Sequence, residues 1–364
     1  MPPMLAIGLM SGTSRDGIDA ALIETDGEEV VRPVAFHAVP YHEGFRTRLT
    51  EACQRAMAMD LPGFEPLLHA VEEELTELHV EAVADLLGRS GHVAEDVGVI
   101  GFHGHTVAHR PERGWTWQIG DGKALAGAFG IAVVGDLRSA DVRAGGQGAP
   151  LLPVYHRALA HDLPLPVAIL NLGGVANITV VGPGDAIIAF DTGMASGLID
   201  NWMQTHGDAT YDTDGATAAR GRVDEDRLAA MLADPWFAMP PPKSIDREAF
   251  TIDAVRGLDL ADGAATLTAF SAAAVARGLD HLAERPSHIY AAGGGRHNAT
   301  LMAALAERTA TDVRSVDELG WDGDALEAQG FAYMAVRSLK GLPISFPGTT
   351  GAPIPMTGGV RFDL

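Results

Sequence analysis

A short β-forming run, residues 5–8, enters the polar turn Ser11-Gly12-Thr13-Ser14-Arg15-Asp16-Gly17, and a second run, 18–24, leaves it. No feature constrains the chain more, because β-forming runs on both sides make this turn join two strands rather than a strand and a helix. The layout recurs where Val167-Ala168-Ile169-Leu170-Asn171-Leu172 meets Gly173-Gly174 and Ala176-Asn177-Ile178-Thr179-Val180-Val181 departs. Around these two hairpins β-like runs alternate with amphipathic helices, which points to α/β architecture. Residues 97–102 read as a buried strand ending at His103-Gly104-His105-Thr106, and residues 131–135 as another ending before Arg138. Residues 186–190 form a strand that delivers Asp191 at its end. Leu67, Leu68, Val71, Leu75, Leu78 and Val83 recur at helical spacing, with Gly88 and Gly91 as stop signals. Helices are further expected over 264–283 and 324–339, and a strand over 288–292 leading into Gly293-Gly294-Gly295. Two halves, each opening on a glycine-turned hairpin, suggest a duplicated α/β fold with a cleft between lobes, joined near Leu163-Pro164-Leu165-Pro166.

At 364 residues two packed lobes are the default, and the apolar content is ample for a core. The net charge of −22 argues against a nucleic-acid partner, which needs a clustered basic surface, and against an anionic membrane face. It leaves open a nucleotide held by backbone amides and a metal. Cys53 is the only cysteine, so an intrachain disulfide and a cysteine-rich zinc site are ruled out. The start of the chain has no basic segment followed by a long apolar run, and no stretch reaches the roughly 20 apolar residues of a membrane span. A cytoplasmic protein is expected.

Several segments carry polar groups suited to chemistry. The turn through Gly12 lacks the Gly-Lys-Ser/Thr of a Walker A loop. Its glycines and hydroxyls suit a phosphate, and Asp16 and Asp19 offer carboxylates to Mg2+ or its waters; an ordinary hairpin would read the same way. The Gly173-Gly174 turn carries the same two readings, and Gly293-Gly294-Gly295 is either a nucleotide approach or a tight β–α turn. Asp191-Thr192-Gly193 puts a carboxylate where it either accepts a proton or caps a helix starting near Ser196. His103-Gly104-His105-Thr106 falls short of a zinc site without a third ligand. Arg138, Asp141, Arg143 and Gln147 gather in a glycine-rich segment fit for a polyhydroxy or carboxylate ligand. Lys243, after three prolines, meets either substrate or water.

Taken in order, the motifs are more specific than any one of them. Met10-Ser11-Gly12-Thr13-Ser14-x-Asp16-Gly17-x-Asp19, His103-Gly104-x-Thr106, Gly145-Gly146-Gln147-Gly148-Ala149-Pro150, Asn171-x-Gly173-Gly174-x-Ala176-Asn177, Phe190-Asp191-Thr192-Gly193, Pro241-Pro242-Lys243-Ser244, Gly293-Gly294-Gly295 and Thr349-Thr350-Gly351-Ala352 follow one another. From Ile7 to about Gly358 the chain resembles the anhydro-N-acetylmuramic acid kinases, of the actin/hexokinase/Hsp70-like ATPase superfamily. The resemblance implies two duplicated ribonuclease H-like lobes, residues 1–163 with about 340–364 and residues 164–339, with ATP and Mg2+ in the cleft between them. It implies a first phosphate hairpin of Gly12, Thr13, Ser14, Arg15, Asp16, Gly17, Ile18 and Asp19, with Asp16 and Asp19 toward the metal. It also implies a second hairpin of Gly173, Gly174 and Asn177, and an adenosine site at Gly293, Gly294 and Gly295. Asp191 falls on the catalytic aspartate and Glu327 on an acid near the sugar; His103, Thr106, Arg138 and Gln147 are further substrate candidates. His105 stands where the family usually has Gln, Met194-Ala195-Ser196 replaces Pro-Gly-Asn, Ile245-Asp246 replaces Thr-Gly, and Leu137 replaces Phe.

The activity so implied is ATP-dependent, hydrolytic opening of 1,6-anhydro-N-acetylmuramate with phosphorylation at O6, in cell-wall sugar recycling. Its partners are ATP and the anhydrosugar, with no nucleic acid or membrane, and a homodimer is left open. Two other classes remain at this point: a sugar kinase acting on a free hydroxyl, and a non-catalytic module switched by nucleotide.

Overall fold

The structure, a computed structural model, describes residues 2–184, 186–245 and 249–363. Two compact units emerge, Met1–His161 with Ala325–Leu364, and Asp162–Asp324. The first opens with β1 (Met4–Ser11), β2 (Gly17–Thr25), β3 (Val31–Pro40), α1 (Glu43–Met57), α2 (Pro66–Ser90) and β4 (Val97–Arg110). It continues through β5 (Trp115–Ile119), α3 (Gly122–Phe129), β6 (Val133–Gly135), α4 (Ser139–Arg143) and α5 (Pro153–Leu159). The second unit holds β7 (Val167–Leu172), β8 (Val175–Val181), β9 (Ile187–Met194), α6 (Ser196–His206), α7 (Glu225–Leu232), α8 (Leu260–Leu279), β10 (His288–Ala292), α9 (Ala299–Thr309) and β11 (Asp312–Ser315). The chain then returns to the first unit with α10 (Leu326–Leu339) and β12 (Val360–Phe362).

Both sheets repeat one plan. In the first, the order β6-β4-β1-β2-β3 is extended by β12 beside β6 and by β5 on β4; in the second it is β11-β10-β7-β8-β9. Each begins as an antiparallel three-strand meander. Each then adds a parallel strand beside the first and another beside that one. The duplication expected from the two glycine-turned hairpins is therefore present in topology, and both hairpins form.

Alternation along β1 decides how the first unit is layered. Ile7 and Leu9 enter the core made with Phe45 and Leu49 of α1 and Leu68, Val71 and Leu75 of α2, as a period of two requires. Gly8 faces the other way and pairs with Gly101 of β4. A Cβ at Gly8 would lie 1.8 Å from the Ala328 carbonyl oxygen, and one at Gly101 would lie 2.1 Å from that of Phe331. The glycine pair is thus a bare patch on which α10 rests its backbone. This corrects the expected boundary: residues 326–339 belong with the first unit, because the Gly8–Gly101 pair of that sheet seats the helix backbone. In the second unit α8 is apolar nearly all round, and accordingly buried. Ala272, Val275 and Leu279 meet the sheet through Leu170, Ile178 and Phe190, while Leu267 and Phe270 meet Leu198, Trp202 and Leu228.

Candidate active site

In the first unit the polar turn between β1 and β2 is closed by Arg15 N–H donating to the Gly12 carbonyl at 3.0 Å, with Arg15 at φ 58°. The Ser14 hydroxyl donates to Asp16 at 2.7 Å. Beneath the turn the buried Ser11 hydroxyl lies 2.6 Å from the Tyr41 hydroxyl and 2.8 Å from His105 Nδ1. Cys53 Sγ stands 3.7 Å from the other nitrogen of that ring. Burial, then the nearby Arg15, pulls His105 down to about 4, so the imidazole is neutral at physiological pH. The Arg15 side chain reaches Cys53, which ties the turn to α1. Asp16 and Asp19 both act on Tyr41, whose hydroxyl is pushed up chiefly by burial. Ile18, expected beside the nucleotide, is fully buried in the core, so its side chain is not available to a ligand.

The strand carrying the two histidines runs on to Arg110 instead of stopping at His103. It does so through a bulge: Leu9 pairs with Phe102, but Ser11 pairs with His105, leaving one extra residue on β4. Gly104, at φ 66°, absorbs it, and a side chain there would strike the Ile119 carbonyl at 2.3 Å. Without the bulge His103 and His105 would share a face; with it they face opposite ways. His105 joins the network under the turn, and His103 packs against Phe331 of α10 at 4.7 Å between ring centres. A shared metal is thereby excluded for this pair, in keeping with the missing third ligand.

His103 Nδ1–H donates to the Gly104 carbonyl at 2.9 Å, which leaves Nε2 to accept from Arg138 Nε at 3.1 Å. Burial and the neighbouring guanidinium hold this imidazole well below its ordinary value. Arg138 also donates to the Gly148 carbonyl at 2.8 Å. Burial lowers it to about 10, against the pull of Glu327 and Asp141, so it stays charged near neutrality. Burial raises Glu327, Arg138 opposes that, and Asp16 adds to it. His103, Arg138 and Glu327 are thus brought together, with Asp16 near enough to be felt. The Thr106 hydroxyl accepts from Gln118 at 3.1 Å. Gln147 is placed by its main chain, which donates to the Thr350 carbonyl at 2.7 Å. The hub of that loop is the buried Asp141, which accepts from Gly148 N–H at 2.6 Å, Thr350 Oγ1 at 2.6 Å, and the Ser345 hydroxyl.

In the second unit the Gly173-Gly174 turn is welded to the start of α6. Gly173 accepts from the Ser196 N–H at 3.0 Å and hydroxyl at 2.8 Å, and Gly174 from Ala195 N–H at 3.0 Å. Those carbonyls cap α6, so Asp191 does not. Nor does Asp191 end its strand: it lies within β9, opposite Asn177, next to a register shift between Ala176 and Asn177. Its N–H donates to the Lys243 carbonyl at 2.9 Å, and its carboxylate accepts from Ile245 N–H at 2.9 Å. Burial pushes this half-buried carboxyl up to about 7, with the Ile245 N–H pulling the other way. Lys243 meets neither expectation drawn from the sequence, since its ammonium is buried against the Trp236 ring, 4.2 Å from the centre. Asp246, the second of the two unusual residues after Ser244, lies outside the described residues. Gly293, at φ 74°, passes so close to Asn171 that a Cβ would lie 2.4 Å from its side-chain oxygen. Arg296 fixes this turn, donating to the Gly293 carbonyl, Asp317 and Asp324 at 3.1, 3.0 and 2.7 Å.

The family model for anhydro-N-acetylmuramic acid kinase matches residues 4–363. The chain belongs to the anhydro-N-acetylmuramic acid kinase family. A curated member from Rhizorhabdus wittichii is 61% identical over 361 residues, 99% of each chain. Another from Zymomonas mobilis is 52% identical over 360 residues, 98% of this chain and 99% of its own. Component A of (R)-2-hydroxyglutaryl-CoA dehydratase from Acidaminococcus fermentans is similar in fold alone. It has a TM-score of 0.51 at 13% identity, covering 93% of this chain and 99% of that one. As an anhydro-N-acetylmuramic acid kinase family member with two like sheets, the chain has the actin/hexokinase-like fold.

Proposed function

We propose that this protein opens 1,6-anhydro-N-acetylmuramic acid with water and transfers the ATP γ-phosphoryl group to O6, giving N-acetylmuramate 6-phosphate. The observation that carries the reading is Asp191, a half-buried carboxyl raised to about 7 and steadied by one N–H donor. A base with a value near the working pH removes a proton most effectively. The internal ether leaves O6 without a hydrogen, so a hydroxyl-activating base has nothing to act on there. Asp191 instead takes a proton from water as that water attacks C1. The C1–O6 bond breaks, O6 forms its bond to the γ-phosphorus, and ADP leaves. The phosphoryl group receives the departing oxygen, so the second carboxyl of an inverting glycosidase is not needed.

Three turns suit the phosphates and adenosine. Gly12, Gly173 and Gly294 have ordinary backbone angles, and a Cβ on them would meet nothing closer than 3.4 Å. The fold itself would therefore accept alanine at each. A ligand lying against bare backbone explains their being glycine. Asp16 and Asp19 are the residues to hold Mg2+, directly or through water. Among the described residues no three His, Cys, Asp or Glu side chains gather to hold an ion alone, which suits an ion that completes its shell with phosphate and water. Such an ion would neutralise charge on the phosphates. Arg138, held by His103 and Gly148, Glu327, which interacts with it, Gln147 and Thr106 are the residues proposed to hold the sugar. No described helix is long and apolar enough to cross a membrane, and an ATP-dependent reaction belongs in the cytoplasm.

ATP consumption measured with the anhydrosugar and, separately, with open-ring N-acetylmuramate tests the reading. Turnover with the anhydrosugar is expected. Turnover with the open-ring sugar alone would replace it by a kinase acting on a free hydroxyl, and none with either would leave a nucleotide-switched module.

A further inference from the structure

We propose that Lys243 is a positioning residue for Asp191, acting through the strap of residues 243–245 and never touching substrate; this rests on Asp191 being the base. The strap brackets the aspartate at both ends: the Lys243 carbonyl accepts from Asp191 N–H, and Ile245 N–H donates to its carboxylate, both at 2.9 Å. Two such bonds fix a carboxylate only if the strap is itself fixed, and its anchor is the turn Pro235–Ala238.

Lys243 Nζ donates to the carbonyls of Trp236 and Phe237 at 3.1 and 3.3 Å and sits over the Trp236 ring. The same indole donates its N–H to the Ser244 carbonyl at 3.1 Å. The turn is secured in its own right. Asp234 caps it by accepting from Trp236 N–H at 2.9 Å, and His281 Nε2 contacts the Phe237 carbonyl at 2.9 Å. Lysine is suited to this task because one ammonium on a long stem can engage two carbonyls and a ring face together. Burying it lowers its affinity for a proton, a cost with no benefit for a residue that merely faces water. Its burial also keeps it from serving as a phosphate ligand.

The charged groups on elements packed against Asp191 are few. Strand β8 carries none, α8 carries Asp262 and Arg277, and the strap carries Lys243. None of them adds a resolved push, so burial and the Ile245 N–H set its proton affinity between them. Loosening the strap removes the Ile245 N–H that favours the carboxylate.

The test is a 13C-carboxyl NMR titration of the intact enzyme, with Asp191 assigned by loss of its signal in Asp191→Asn, beside the pH profile of kcat. In Lys243→Met, which keeps the stem and drops the charge, Asp191 is expected to titrate about one unit higher than in wild type. That shift lowers the ionised fraction, and kcat on the acidic limb, about tenfold. KM for the anhydrosugar stays unchanged. Lys243→Arg should restore most of the shift. If Lys243→Met fails to fold, Trp236→Phe, which removes the bond to Ser244 and leaves a smaller ring beneath the ammonium, should move Asp191 the same way by less. An Asp191 titration identical to wild type in whichever of these variants folds overturns the proposal. The titration reads Asp191 without turnover, so absence of kinase activity in wild type would sink the functional reading and leave this result standing apart.

Discussion

Asp191 combines a half-buried position with, among the described residues, one hydrogen-bond donor to its carboxylate, and the balance predicts a specific pH behaviour. Its proton leaves near 7, so kcat should rise with pH through that value and level off above it. Asp191→Asn should abolish turnover while leaving ATP binding, measured calorimetrically, unchanged. The sign for stability is the reverse. A carboxyl raised from 3.8 to about 7 by folding binds its proton more tightly in the native state, so its contribution is full below the unfolded value. That contribution is lost as pH rises through about 7. Melting curves should therefore show Asp191→Asn gaining stability relative to wild type at pH 8 and not at pH 4. His105 gives a contrasting expectation. As a neutral ring bonded to Ser11 it acts as a hydrogen-bonding group and not as a charge. His105→Gln should keep activity with an unchanged pH profile; a shifted acidic limb would show that the ring titrates during turnover.

At the scale of elements, close approach and one bulge decide the architecture of the first unit. Gly101→Ala would force a methyl against the Phe331 carbonyl and lift α10 off the sheet. The cost should meet or exceed the ~1–3 kcal/mol of ordinary overpacking, read as a lowered denaturant midpoint. Because α10 carries Glu327 at its first turn, KM for the sugar should rise in the same variant. Asp141→Ala removes the acceptor for Gly148, Thr350 and Ser345 and should cost about 2 kcal/mol or more, releasing the loop that positions Arg138. The sequence made the hairpins, β10 and the Gly91 stop of α2 readable, since each rests on a local pattern. It hid the bulge at Gly104, because a glycine between two histidines reads as the end of a strand. Only pairing with β1 shows that the strand continues. The seat of α10 was hidden too, because a glycine pair separated by more than ninety positions leaves no local trace. Lys243 looked exposed for a related reason: its ring and carbonyl partners belong to a turn that forms only in the folded unit.

On the scale of the whole molecule, the residues assigned to the proposed chemistry are found in both of two units of like topology. The first provides Arg138, Glu327 and the Gly12 turn, and the second provides Asp191 with the Gly173-Gly174 and Gly293–295 turns. The family was legible because its motifs are spread along nearly the entire chain in fixed order. The departure at His105 lies under the Gly12 turn, and that at Met194-Ala195-Ser196 lies at the end of β9 and the start of α6. The claim to test is that one reaction both hydrolyses the ether and phosphorylates O6. Turnover of the anhydrosugar with ATP in 18O-labelled water, quenched early, places the nucleophile. A control of unlabelled product in the same water measures anomeric exchange. One 18O is expected at C1 of N-acetylmuramate 6-phosphate, above the control, and none in the phosphoryl group. Product carrying no label at C1 beyond the exchange control would contradict it.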